Sequence, residues 1–135
     1  MKLNVRNLRD EDYKTISKWW KQWQWPVIPK YNLPPTGLIV EKDGVSIVSC
    51  YIYMTNSPGA LLEWIVSNPD YRDKDRQQAI ELLITTAEDI LKKEGVAYMF
   101  SIGRNKHLID THKKLGWHIE QKPSQEMTKA INLKL

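Results

Sequence analysis

Residues 60–102 of this 135-residue chain read ALLEWIVSNPDYRDKDRQQAIELLITTAEDILKKEGVAYMFSI. The apolar run Ala60 to Ser67 predicts a strand, which a turn-forming Asn-Pro-Asp sequence then ends. Apolar residues recur at helical spacing through residues 80–91, and Gly95 stands where a glycine commonly ends a helix. Val96 to Ile102 predicts a second strand. Because strands joined through a helix run parallel, this stretch predicts a right-handed strand-helix-strand crossover.

The residues before this crossover predict a helix and three more strands. Alternation at Leu3–Arg6 indicates a short strand, and a helix is predicted from an N-cap at Asp10 to about Trp23. Leu38–Glu41 and Val45–Thr55 predict two strands joined by a Lys-Asp-Gly turn. Together with the strand that opens the crossover, they predict an antiparallel meander.

The residues after the crossover predict a short helix, Lys106–Leu115, and two last strands, Trp117–Gln121 and Glu126–Leu133. The element order is therefore β-α-β-β-β-α-β-α-β-β. This order predicts an α/β (α+β) protein with a mixed, mostly antiparallel sheet flanked by helices. A chain of this length fits a single domain spanning residues 1–135.

The composition excludes several classes of protein. The hydrophobic fraction is 41% and the charged fraction 27%, as in an ordinary globular domain. Cys50 is the sole cysteine and predicts a buried thiol, and no Cys/His cluster has metal-ligand spacing. No segment approaches the roughly 20 apolar residues of a membrane span. The net charge of +4 comes from cations scattered among acids, so neither a membrane nor a nucleic acid is predicted as a partner. A cytoplasmic location is expected.

Two segments carry a resemblance to a known family. Residues 63–79, EWIVSNPDYRDKDRQQA, end a strand in a Pro-acid-Tyr-Arg sequence and begin a long helix. Residues 105–117, NKHLIDTHKKLGW, begin a short helix at an asparagine and close it with a Leu-Gly-aromatic turn. With the element order added, nearly the whole chain resembles the GNAT superfamily of N-acetyltransferases. The resemblance implies an acetyl-CoA-dependent transfer of an acetyl group to a small-molecule or peptide amine.

The resemblance also implies a set of acetyl-CoA contacts. Strand backbone at Ile65, Val66 and Ser67 would pair with the pantetheine arm. The pyrophosphate would lie against the loop and helix start, and Asn105 would make a further contact. The residues implied for the pyrophosphate are Arg72, Lys74, Asp75, Arg76 and Gln77.

The pyrophosphate loop departs from the family pattern. Asp73, Asp75 and Gln77 stand where the family commonly has glycines, which let backbone approach phosphate closely. A carboxylate beside a phosphate is repulsive. An alternative interpretation makes Asp75 a helix N-cap, with Gln78 completing a capping box, so that the helix needs no ligand.

Two residues are candidates for catalysis by this resemblance. Glu63 lies on the strand that would flank the thioester and is the candidate general base. His112 stands where the family often has a tyrosine that acts as general acid towards the leaving thiolate. The structural alternatives are a paired carboxylate at the rim for Glu63 and a packed helix histidine for His112.

Four tryptophans fall within residues 19–25, followed by a proline-rich loop to residue 35. Trp20 and Trp23 fit the buried face of the first helix. Trp19, Trp25 and Tyr31 are the candidate substrate-binding residues, suited to an apolar or cationic amine. Alternatively, the segment 19–35 is an exposed aromatic patch of a non-catalytic binding module that recognises a partner or pairs two subunits as a homodimer.

Overall fold

The computed structural model describes residues 2–132, which separate into two compact units divided between Ile102 and Gly103. The units are described separately. The first contains five strands, two α-helices and a 3-10 helix at Lys30–Asn32. Its strands and helices, in chain order, are β1 (Asn4–Asn7), α1 (Asp12–Gln22), β2 (Thr36–Lys42), β3 (Val45–Met54), β4 (Gly59–Ser67), α2 (Arg76–Lys93) and β5 (Tyr98–Phe100).

The five strands form one sheet in the order β1-β2-β3-β4-β5. The first four pair antiparallel, and β4 pairs with β5 in parallel. The predicted meander and the parallel pairing of the strands that flank the long helix are therefore confirmed. The turn between β2 and β3 has positive φ at Asp43 and Gly44, as the tight hairpin turn predicted there requires.

One face of the sheet is covered by α1. Ile16, Trp19 and Trp20 of this helix cluster with Ile39, Tyr51 and Val66 of the strands. Trp20 is fully buried, and its ring meets those of Tyr13 and Trp64 edge-on. The helix thus buries Trp19 as well as Trp20, whereas Trp23 is half-buried.

The helix α2 packs against β2 and β3. It begins next to Asp75 and buries the apolar positions that its period predicts, which are Ala79, Ile80, Leu83, Ile84, Ala87 and Leu91. Leu38 and Val40 alternate with Ile39 and are buried on the sheet face opposite α1. Cys50 is fully buried, and burial raises the pKa of its thiol to about 12. The predicted buried thiol is confirmed.

An ion pair joins β1 to the start of α1. Both terminal nitrogens of Arg6 donate to the Asp12 carboxylate, at 2.8 and 2.9 Å, and Nε donates to Glu41 at 3.2 Å. Asp12 also accepts from the Arg9 backbone N–H at 2.7 Å. The predicted N-cap at Asp10 is wrong. The helix begins at Asp12, whose carboxylate reaches back to a preceding amide instead.

We expect Asp12→Asn to destabilise the protein at pH 7 by roughly 3 kcal/mol, because it leaves the half-buried Arg6 without its main partner. The hydrogen bonds from Arg6 lower the pKa of Asp12. A depressed carboxyl pKa contributes stability above the unfolded-state value, and this stability is lost as the pH falls through the folded-state pKa. The difference in the free energy of unfolding between wild type and variant should therefore become smaller as the pH is lowered. Urea unfolding at a series of pH values measures it.

The control for this prediction is Asp110→Asn, which removes an exposed pair with Lys106. Such a pair is worth well under about 1 kcal/mol. Two results would contradict the stabilising role of the Arg6–Asp12 pair. One is an equal loss of unfolding free energy in both variants at neutral pH, and the other is a loss for Asp12→Asn that does not depend on pH.

The second unit contains α3 (Lys106–Lys114), which ends before Gly116. The two last strands predicted from the sequence are absent from residues 117–132; residues 133–135 of the second lie outside the described residues. An apolar alternation forms a strand when its face is buried, but here Met127 is 89% and Ile131 92% exposed. Within residues 2–132, no helix is long and apolar enough to cross a membrane, and no three His, Cys, Asp or Glu side chains gather as for a metal.

Candidate functional site

The parallel pair β4–β5 separates part-way along β4. Pairing covers Gly59–Leu61 against Tyr98–Phe100 and then stops. From Leu62 to Ser67, β4 therefore has no strand beside it on that edge within residues 2–102. An open strand edge can add an extended ligand as a further strand. The predicted contact residues Ile65, Val66 and Ser67 lie on this open part.

A β-bulge interrupts β4 where the strands separate. Ser49 faces Val66 and Tyr51 faces Glu63, so three steps along β4 oppose two along β3. Trp64, within the bulge, has a φ of +55°, in the left-handed region that non-glycine residues seldom adopt. Bulges re-aim side chains and backbone groups, and backbone strain of this kind often accompanies function.

Glu63 is buried at the point of separation, with 5% of its surface exposed. The Ile102 backbone N–H donates to its Oε1 at 2.9 Å, so the carboxylate bridges the gap between the diverging chain segments. Its cross-strand neighbour, Tyr51, belongs to the cluster under α1, which places Glu63 on that side of the sheet. Burial raises the pKa of Tyr51 to about 12, so its phenol stays protonated at neutral pH.

The predicted pyrophosphate loop leads into the N-terminus of α2. Asp75 occupies the N-cap position, but its side chain makes no cap hydrogen bond. Its carboxylate instead accepts from Lys42 Nζ at 2.8 Å and from the Tyr71 hydroxyl at 2.6 Å. These two hydrogen bonds lower the pKa of Asp75. The self-capping interpretation is therefore wrong, since the carboxylate is turned to Lys42 and Tyr71.

Arg76 links the end of β4 to the start of α2. Its terminal NH2 group donates to Ser67 Oγ at 2.7 Å, and its guanidinium lies 6.0 Å from the ring centroid of Trp23. Trp23 in turn donates from Nε1 to the Ser67 carbonyl at 2.8 Å. Burial, together with the nearby Arg72, lowers the pKa of Arg76. The three side chains tie α1, β4 and α2 together beside the open strand edge.

The remaining predicted loop residues differ in their surroundings. Arg72 and Lys74 are exposed, whereas Gln77 is half-buried and donates to Glu81 at 2.9 Å, one turn along α2. The loop therefore presents two exposed cationic side chains, Arg72 and Lys74, beside the start of α2. Backbone amides and the helix dipole also favour anions there.

The three predicted substrate-binding residues lie in different environments. Trp19 is 3% exposed and borders a cavity beside α1. Trp25 is half-buried against the core cluster, and Tyr31 is 63% exposed. Because all four tryptophans of segment 19–35 lie in the core cluster or pack against it, the exposed aromatic patch of the alternative interpretation is not favoured.

In the second unit, Asn105 caps α3 by accepting from the Leu108 N–H at 2.8 Å. His112 is 4% exposed, and its Nδ1 lies 2.8 Å from the Leu108 carbonyl. This contact requires a proton on Nδ1. The buried Nε2 has no hydrogen-bond partner in the described residues, and the ring stands edge-on to Trp117 at 4.7 Å. The structure thus gives both residues local structural partners.

Sequence reasoning missed Lys42, Tyr71 and the bulge. Lys42 lies 33 residues from the aspartate that it contacts, and no sequence pattern links the two. The bulge has a tryptophan where the usual signal would be glycine. Tyr71 stands in the quoted loop motif, and its spacing of four from Asp75 was a usable signal.

Comparison with known proteins bears on the fold. No family model and no curated protein sequence matches the chain. Among solved structures, the ribosomal-protein-S18-alanine N-acetyltransferase from Escherichia coli superposes with a TM-score of 0.70 at 20% identity, covering 85% of this chain and 77% of that one. PaiA N-acetyltransferase from Thermoplasma acidophilum, in complex with coenzyme A, gives 0.66 at 19% identity, covering 91% and 94%.

A third structure, AAC(6')-Iy bound to a bisubstrate analog of CoA and acetylneamine, gives a TM-score of 0.67 at 18% identity, covering 96% of this chain and all of that one (100%). At these identities the likeness concerns architecture. The chain has the fold of the GNAT N-acetyltransferases.

Proposed function

We propose that the protein is an acetyl-CoA-dependent N-acetyltransferase. The observation that carries this proposal is the separation of β4 from β5 after Leu61, which leaves an open strand edge running to the N-terminus of α2. An extended amide-containing arm fits such an edge, and a pyrophosphate fits the helix start. The solved structures of similar fold include complexes with coenzyme A and with a bisubstrate analog.

Residues of the first unit would hold the coenzyme. Backbone groups of Ile65–Ser67 would pair with the pantetheine arm, while Arg72 and Lys74 would meet the pyrophosphate. Asp75 is compatible with this role because its carboxylate is paired with the Lys42 ammonium group. Gln77 and Arg76 would border the same site.

Acetyl transfer would take place near the bulge of β4. Acetyl-CoA supplies the acyl group. The amine nitrogen attacks the thioester carbon and loses a proton. The C–S bond breaks, and the sulfur gains a proton and leaves as a thiol. Glu63 would accept the amine proton, directly or through water, and a backbone amide near the bulge would steady the oxyanion.

The acceptor would be a small-molecule or peptide amine. Similar folds include enzymes named for ribosomal-protein alanine and for aminoglycosides. Trp19, Trp25 and Tyr31 would border the acceptor on the α1 side, where aromatic rings suit an apolar or cationic group. The test is release of coenzyme A from acetyl-CoA with a panel of alanine-terminated peptides and aminoglycosides. The proposal would be contradicted if the protein neither bound acetyl-CoA nor acetylated any amine of the panel.

We expect acetyl-CoA at 100 times its dissociation constant to raise the free energy of unfolding by about 2.7 kcal/mol.

Lys42→Gln should weaken acetyl-CoA binding by roughly tenfold, because it leaves the Asp75 carboxylate unpaired near the pyrophosphate. Asp75→Asn in the Lys42→Gln background should restore most of this affinity, since it removes the repulsion. Titration calorimetry of the four members of this mutant cycle measures both effects.

Lys21→Gln is the matched control, since Lys21 is an exposed lysine on α1 outside the loop. An equal loss of affinity in this control would mean that only net charge matters. A failure of the double variant to recover would mean that Lys42 acts on the coenzyme independently of Asp75.

A further inference from the structure

A cavity of about 340 Å³ lies between the outer side of α1 and the segment that follows β4. The helix contributes Lys14, Lys18 and Trp19, and the opposite wall contains Asn68 and Asp70. None of residues 72–78, where the coenzyme is proposed to bind, lines it. The cavity is therefore a separate feature of the first unit.

Two cations border the cavity without partners. Lys14 and Lys18 are four residues apart on α1, so their side chains project from the same side of the helix. Neither makes an ion pair or a hydrogen bond within the described residues, whereas Arg6 and Lys42 are both paired with carboxylates. Two like charges held side by side without a counterion favour an anion between them.

The opposite wall is held in place by hydrogen bonds. The Asn68 side chain donates to the Ser46 carbonyl at 3.0 Å, and its backbone N–H donates to the Ile47 carbonyl at 2.7 Å. Asn68 Oδ1 also accepts from the Asp70 N–H at 2.9 Å. Trp19 belongs to the core cluster. Contacts within the protein thus hold Asn68 and Trp19 in place, which lowers the cost of ordering these two parts of the lining on binding.

Asp70 gives the far end of the cavity the opposite charge. Its Oδ2 accepts a hydrogen bond at 3.4 Å from Gln22, the last residue of α1. No hydrogen bond to Oδ1 occurs within the described residues, so one carboxylate oxygen remains for a donor. The lining therefore contains two cations on α1 and a carboxylate on the segment that follows β4.

We propose that this cavity binds a small molecule that carries a carboxylate or a phosphate at one end and an ammonium group at the other. The anionic group lies between Lys14 and Lys18, and the ammonium group donates to Asp70. The intervening carbon chain spans the cavity between them. The lining includes none of the residues proposed to hold the coenzyme, and it shares only Trp19 with those proposed to border the acceptor amine.

The test is calorimetric titration of the coenzyme-free protein with four probes. O-phosphoethanolamine and β-alanine carry an anion and an ammonium group; ethyl phosphate and propionate lack the ammonium group. We expect at least one ammonium-bearing probe to bind saturably, about fivefold or more tighter than its partner without that group, because a charge-assisted hydrogen bond is lost. The tighter of the two ammonium-bearing probes identifies the anion as phosphate or carboxylate.

Two variants locate the binding. Lys14→Gln with Lys18→Gln should weaken the tighter probe by at least about tenfold, because both cations are removed. Asp70→Asn should abolish the preference for the ammonium-bearing probe. Lys21→Gln, on the same helix outside the cavity, should leave affinity within about twofold. Since all four positions are exposed, the variants should fold, and circular dichroism checks this.

The proposal is overturned if none of the four probes binds saturably, or if Lys21→Gln weakens binding as much as the double lysine variant does. Because the titrations contain no acetyl-CoA, failure here leaves the acetyl-transfer proposal untouched. Failure of acetyl-CoA to bind likewise leaves this site standing.

Discussion

Trp20→Ala is expected to destabilise the protein by about 3–5 kcal/mol, the range for truncating a fully buried aromatic side chain. Trp20 is completely enclosed beneath α1, with ring centroids 6.3–6.5 Å from those of three other aromatic residues, Tyr13, Tyr51 and Trp64. No neighbouring ring is free to collapse into the space, because each is held in the same cluster. Urea unfolding followed by circular dichroism measures the loss.

A second substitution separates packing from hydrogen bonding. The buried Nε1 of Trp20 has no hydrogen-bond partner in the described residues. Trp20→Phe removes this unsatisfied donor and keeps an aromatic ring, so it should cost less than half as much as alanine. Tyr31→Ala, at an exposed ring, should change the free energy of unfolding by at most about 0.5 kcal/mol. A cost below about 1 kcal/mol for Trp20→Ala would contradict the described core.

The fold could be predicted because its decisive signals are local. The helical period of α2 predicted both its start near Asp75 and the residues that it buries. The Lys-Asp-Gly turn predicted the hairpin of β2 and β3. Such patterns act between residues that are close in sequence, and the antiparallel meander and the crossover then follow from connection lengths.

The last two strands could not be predicted by the same means. Alternating apolar and polar residues were read as strands at 117–121 and 126–133, but a strand also needs a neighbour and a buried face. Ile131 meets neither condition, since it is almost fully exposed. Sequence alternation reports what a segment would do if paired, and the pairing itself is a tertiary property.

The site was predictable only in outline. The sequence placed the loop and the end of β4 correctly, but the direction of the Asp75 carboxylate depends on Lys42, which is distant in sequence. The sequence suggested that the Asp75 carboxylate either repels phosphate or caps the helix. In the structure it pairs with Lys42 and Tyr71. Likewise, the sequence placed Glu63 on β4. It did not indicate the bulge beside Glu63 or the hydrogen bond that its carboxylate accepts from the Ile102 N–H.

The catalytic role proposed for Glu63 has to be separated from its structural one. Its Oε1 accepts the Ile102 N–H at 2.9 Å where β4 and β5 have parted. Alanine would remove this bridge together with any base, so loss of rate in Glu63→Ala alone would decide nothing. Glutamine retains a side-chain oxygen for the Ile102 amide but cannot accept the proton of an amine.

We therefore expect Glu63→Gln to lower kcat/KM for an accepted amine by about 10²–10⁴-fold, the range for losing a general base, while acetyl-CoA affinity stays within about twofold. The loss should grow at lower pH, because more of the amine is then protonated. Asp89→Asn, an exposed carboxylate on α2, serves as the control and should keep full activity. If Glu63→Gln retained wild-type turnover while Glu63→Ala lost it, the carboxylate would be a positioning residue only. In that case solvent, rather than Glu63, would take the amine proton.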